Sequence, residues 1–282
     1  MIIYLLVFLS GFCALIYQVL WMKQLALLFG NTSHAAGLTL AAFFAGLVAG
    51  SWFWGKRSAR CRNPMRVYAG LEVGIAVTAL LYFAVIAGYH ILYPVVYQSV
   101  HSETWLLLIK FLLALGLIFP PAFCMGGTIP VMGQHAIRVP ASFGSTSALL
   151  YGVNTLGATL GAFLAGFFMP LWFGFRATCF IAMGITLLVA LLAYLLSRTP
   201  SAAMVVETDA EKEPSAGEPP LDLHRVALTA ICFVSGFGVL ALEVLWTRMF
   251  ALVLENSVYT FAAILVVVLS CLAGGSLISS LL

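Results

Sequence analysis

The sequence predicts an all-α, polytopic membrane helix bundle of about eight spans, a six-helix unit followed by the start of a parallel repeat. Three observations carry this. Of the 282 residues, 63% are hydrophobic and only 8% are charged, whereas a soluble domain carries about 25% charged residues. Apolar runs long enough to cross about 30 Å of hydrocarbon recur along the chain. The stretch that opens at Ser10 returns at Ser235.

The apolar runs place spans at roughly 2–22, 34–54, 67–91, 104–124, 144–168, 177–197, 226–248 and 258–282, with polar residues punctuating most of the gaps. Backbone groups in lipid must bond within their own segment, so each run is expected to be helical. No Lys or Arg precedes the first run and no A-x-A site follows it, so it reads as a retained span rather than a signal peptide. Between the second and third spans lie Lys56, Arg57, Arg60, Arg62 and Arg66, and Arg198, Lys212 and Arg225 follow the sixth. Positive charge collects on the cytoplasmic side. The expectation is an integral protein of a bacterial inner membrane with its N-terminus in the cytoplasm.

Three regions follow: residues 1–197 as a six-span unit, 198–225 as a cytoplasmic linker, and 226–282 as two spans of a second copy. The linker holds Pro200, Pro214, Pro219 and Pro220 beside an acidic run from Glu207 to Glu218, a composition that does not build a core. Pro120, Pro121 and Pro130 around Gly126-Gly127 predict a break in the fourth helix near its cytoplasmic end.

A shift of 225 residues aligns the two copies, with 14 of the 43 positions from 10 to 52 identical and no gap. Trp21 falls on Trp246, Lys23 on Arg248 and Asn31 on Asn256. Six spans separate the copies, an even number, so both insert in the same sense; parallel repeats of this kind relate the halves of major facilitator transporters. The second copy reaches Leu282 without a polar exit, so the chain is expected to be the front part of a longer polypeptide.

Composition excludes several function classes. The two aspartates, Asp209 and Asp222, both lie in the linker, which leaves no paired-aspartate chemistry. The six cysteines form no C-x-x-C pair and no Cys/His ligand spacing, so no metal or cofactor is expected. A net charge of +3 is too small for a nucleic-acid surface.

The polar residues inside spans remain. Glu243 lies about seventeen residues into the seventh span, and Gln18 occupies the equivalent place in the first. A charge at mid-helix costs roughly 2.5–3.5 kcal/mol on insertion scales and normally faces a partner or a wet cavity. Two readings stand: a polar lining that attracts a cation such as a polyamine or a proton, or interhelical glue with Glu243 paired to Arg248 or capped by neighbouring hydroxyls. Asn154 heads a small-residue face, Gly157-x-x-x-Gly161 with Gly166 beyond, suited to close helix packing with a substrate pathway as the alternative. Gly46 and Gly50 are assigned to packing as well. Lys23 and Arg248 read as snorkelling to the outer interface, Asn31 as a helix-end cap or turn, and Glu72 as a snorkelling carboxylate or a partner of Arg66.

The run from Ser10-Gly11-Phe12 through Trp21 to Asn31 resembles the opening helix of membrane-embedded spermidine synthase-like proteins, the fused major-facilitator/spermidine synthases. The runs Pro121–Pro130 and Tyr151–Ala158, continuing through Gly161 and Gly166 to Pro170, agree with it in order and spacing. The resemblance covers nearly all of the chain except 198–225. It implies a membrane module that anchors or serves an aminopropyltransferase-like domain, with a polyamine as possible solute. No residue here matches that domain: the one G-x-G-x-x-A, Gly236, Gly238 and Ala241, lies inside a span with no preceding strand. A major-facilitator-like transporter of a small organic cation or other solute is the alternative, and a ligand-free scaffold the third. The lipid bilayer is the partner common to all three.

Overall fold

A computed structural model describes residues 1–29, 33–99, 103–136, 143–198, 223–253 and 257–281. Among the described residues there are eight α-helices and no strand. They are α1 (Ile2–Phe29), α2 (Ser33–Ser58), α3 (Pro64–Ser99), α4 (Glu103–Ala136), α5 (Phe143–Phe167), α6 (Met169–Arg198), α7 (Leu223–Val253) and α8 (Val258–Leu281). All eight are long and apolar enough to span a bilayer, so the chain is an integral membrane helix bundle. Residues 199–222, most of the expected linker, lie outside the described residues, as do Asn31 and Asn256.

Local signals set the helix ends. Asn63 stands before Pro64, and its Oδ1 accepts from the Arg66 backbone N–H at 3.3 Å, a side-chain N-cap with proline at the first helical position. The Asn63 amide also donates to the Ser197 carbonyl at 3.1 Å, tying the basic loop to the end of α6. Ser257 caps α8 by accepting from Thr260 N at 3.2 Å. Near Gly174 (φ +78°, ψ 168°) α6 bends, a left-handed conformation that glycine adopts at little cost.

The expected break in the fourth helix is not there. α4 runs unbroken from Glu103 to Ala136 through all three prolines. A proline removes one backbone bond, yet transmembrane helices tolerate this where neighbouring helices and Ser/Thr side chains serve the freed groups. Here Pro121 and Ala122 are buried against the bundle. This helix packs along α2.

Helix pairs in lipid gain nothing from burying apolar surface against each other, so close backbone approach has to hold them. Glycines make that approach. On the α1–α5 seam, a carbon added at Gly157 would collide with the Phe8 carbonyl, and one at Gly161 with the Phe12 carbonyl. On the α2–α4 seam, Gly50 meets the Phe123 carbonyl, Gly126 the Leu47 carbonyl, and Gly46 the Ala122 methyl. Gly166 abuts Ala262 where α5 packs on α8.

The packing makes α1 the central helix: Ile16, Tyr17, Leu20, Trp21 and Leu25 are all buried. Tyr17 stacks on Trp21 at 5.4 Å between ring centroids, and Trp21 meets Tyr82 of α3 at 6.0 Å. The repeat-related helix α7 sits differently. It packs chiefly on α8, and Trp246, the counterpart of Trp21, is 41% exposed against 1%. Outward faces are largely apolar, with Val48, Val77, Ile231 and Phe233 turned out of the bundle, as a lipid solvent requires. Lys56 Nζ lies 4.2 Å over the Trp52 ring, and Arg198 donates to the Tyr194 hydroxyl at 2.8 Å, placing aromatic and basic residues together at one end.

Gly157→Val and Gly161→Val are expected to destabilise the bundle by about 1–3 kcal/mol each by forcing α1 and α5 apart. Gly88→Val, where a side chain meets open space, is expected to be near neutral. Thermal midpoints of the detergent-solubilised protein check this, and equal effects at the three sites would contradict it.

Candidate functional site

A cavity of about 780 Å³ lies between α1, α2, α4, α5, α7 and α8. From α1 it takes Ser10, Gly11, Ala14, Leu15 and Gln18, the i, i+1, i+4, i+5, i+8 positions of one helical face. From α7 it takes Ser235, Gly236, Val239, Leu240 and Glu243. Each of these five lies 225 residues after its α1 counterpart. On α2 and α8 the same shift relates Phe43 to Val268, Phe44 to Leu269 and Leu47 to Leu272. The two copies therefore present matching faces to one space.

The cavity has a deep end and an open end. Gln18 and Glu243 are the last lining residues along their helices in the chain direction. Past Gln18, the side chains of Trp21, Met22, Leu40 and Ile118 are buried against one another. In the other direction the lining reaches Ser58 at the end of α2, Gln134 near the end of α4 and Ser147 near the start of α5. That is the end carrying the 59–63 loop and its basic residues.

The lining is mostly apolar, and Glu243 is the one charged side chain among the described residues that form it. Glu243 and Gln18 are each 5% exposed. Glu243 Oε1 and Gln18 Nε2 are both buried without a hydrogen-bond partner. Buried polar atoms are normally bonded, and an orphan one costs about 1–3 kcal/mol. The expected pairing of Glu243 with Arg248 is not formed; Arg248 is exposed on α7 while Glu243 faces inward. The hydroxyl of Thr247 donates to the Glu243 backbone carbonyl at 2.8 Å and leaves the carboxylate untouched.

Asn154 also lines the cavity, where its backbone carbonyl and side-chain Oδ1 close on Gly11 of α1. The structure thus brings Gln18, Asn154 and Glu243 to one space, whereas Trp21 is in the core and Lys23 beside a shallow crevice with Pro170 and Tyr259. Glu72 departs from its expected place. It is buried, its Oε1 accepts from Ser10 Oγ at 2.5 Å, and Arg66 stays exposed. Ser10, Ser235, Tyr151, Thr155 and Gln134 are lining residues that the sequence reading passed over. The serine pair was recoverable, since it opens the aligned repeat.

The profile of the Major Facilitator Superfamily matches residues 1–282. The chain belongs to the major facilitator superfamily. No match is found among curated proteins or among solved structures. In transporters of this superfamily, sites lie near the bilayer midplane at the interface of repeats, and this cavity is lined by both copies of the repeat. The expectation of a transporter-like membrane module gains support from this match, and the fusion to a spermidine synthase gains none.

Replacing Glu243 by Leu is expected to raise the stability of the empty protein by about 1–3 kcal/mol, because it removes a buried acid left without a partner. Thermal unfolding in detergent without added solute checks it. A fall in midpoint would mean that the carboxylate is satisfied after all.

Proposed function

We propose that this chain forms the solute pathway of a secondary transporter, and that its solute is a small organic cation with one positive charge and an apolar body. The observation that carries the reading is the Glu243 carboxylate, buried with an unpartnered oxygen in an apolar cavity that has no basic residue in its wall. A cation is the ligand that completes such a site. Gln18, at the matching place on the first copy, offers an unpartnered amide N–H to an acceptor on the solute's far side. A volume of about 780 Å³ falls in the range of small-molecule sites.

The narrower reading, a polyamine handled for an aminopropyltransferase-like domain, rests on the motif resemblance alone. A polyamine carries several positive charges, and the cavity supplies one acid. A monovalent cation therefore suits the wall better. We also place the N-terminus and the 55–66 loop in the cytoplasm of a bacterial inner membrane, on the strength of the basic residues gathered there. The cavity would then open inward.

Radiolabelled methylphenylpyridinium, a permanently charged monovalent cation, is expected to bind the purified chain and to be displaced only poorly by spermidine. Glu243→Gln is expected to weaken this binding about 30-fold or more, equivalent to about 2 kcal/mol, with the protein remaining monodisperse. Equal binding by the variant would overturn the cation reading. For orientation, Cys61 is expected to resist a membrane-impermeant maleimide in intact cells and to react once the inner face is exposed. Labelling in intact cells would reverse the assignment.

A further inference from the structure

We infer that Glu72 is a proton-binding site loaded from the cavity through Ser10. In the transport reading it is the seat of a coupling proton, and only that use of it rests on the reading. Glu72 sits outside the solute site, on α3, and is 1% exposed. Ser10 spans the wall between them: it lines the cavity, and its Oγ donates to Glu72 Oε1 at 2.5 Å. Proton transfer between oxygens needs about 2.6–3.2 Å or one intervening water, and this contact is already that short.

The surroundings offer no competing cation. Titratable groups facing Glu72 are Tyr68 on its own helix, Cys13 and Tyr17 on α1, and Cys124 on α4. On α6, Thr186 is bonded to Tyr17 at 3.4 Å. Tyr68 donates its hydroxyl to the Leu6 carbonyl at 3.2 Å. No Lys, Arg or His among the described residues pairs with the carboxyl. Acidic residues inside a membrane that lack a basic partner mark ion sites and proton relays. A purely structural acid would be expected to have no link to the cavity; Ser10 supplies that link.

The step balances simply. A hydronium in the cavity gives a proton to Ser10 Oγ while the proton already on Oγ moves to Glu72 Oε1. Hydronium becomes water, the carboxylate becomes a carboxylic acid, Ser10 is unchanged, and reversal releases the proton.

Infrared difference spectra of the lipid-reconstituted chain after a drop in pH test this without any organic cation, so the result is independent of whether methylphenylpyridinium binds. A protonated-carboxyl band is expected to rise, to vanish in Glu72→Gln and to survive in Glu243→Gln. Ser10→Ala is expected to slow its rise at least tenfold and to shift its frequency, since one hydrogen bond is lost. If Glu72→Gln does not give monodisperse protein, Ser10→Ala carries the test alone. No band sensitive to Glu72, a band that does not respond to pH, or a Ser10→Ala rise as fast as the parent's would each overturn the inference.

Discussion

In hydrocarbon a polar group can send its hydrogen bonds only to protein or to enclosed water, and that constraint explains most of what this bundle does. It makes every span a helix and turns the outer faces apolar. It also gives meaning to the few polar side chains kept within the spans. Hydroxyls along the spans return their protons to carbonyls one turn back, as Thr78, Thr155, Thr159 and Thr178 do. Gln18 and Glu243 do not follow suit, and both line the same cavity.

Sequence identity between the copies is modest, yet the cavity uses equivalent places on α1 and α7. At the deep end the copies differ in charge, one carrying a neutral amide and the other an acid. A symmetric shell with an asymmetric floor can hold a solute in one orientation. Behind the first copy stands Glu72, and its bond to Ser10 joins it to the shell from one side only.

Much of the fold was readable because lipid imposes a simple rule. Eight apolar runs gave eight helices, and the Asn63-Pro64 pair marks a helix start that the structure realises. The prolines of α4 misled because isolated-helix reasoning leaves out the neighbours: Gly46, Gly50 and Gly126 bring α2 so close that the helix persists. Gln18, Asn154 and Glu243 stood out as polar residues at depth, but their convergence on one cavity depends on how α1, α5 and α7 pack, which no local pattern encodes. Glu72 was misplaced for the same reason. Its spacing from Arg66 along one helix suggested a pair, whereas its partner came from α1.

The claim at the centre is that matching faces of the two copies enclose one solvent-reached cavity. Cysteines introduced singly at Ala14 and Val239, in a background without the native thiols, measure it through their reactivity toward a small hydrophilic thiol reagent. The account predicts that both react, that methylphenylpyridinium protects both, and that a cysteine at the outward-facing Val48 stays inert. Reaction at only one of the pair, or protection of neither, would contradict it.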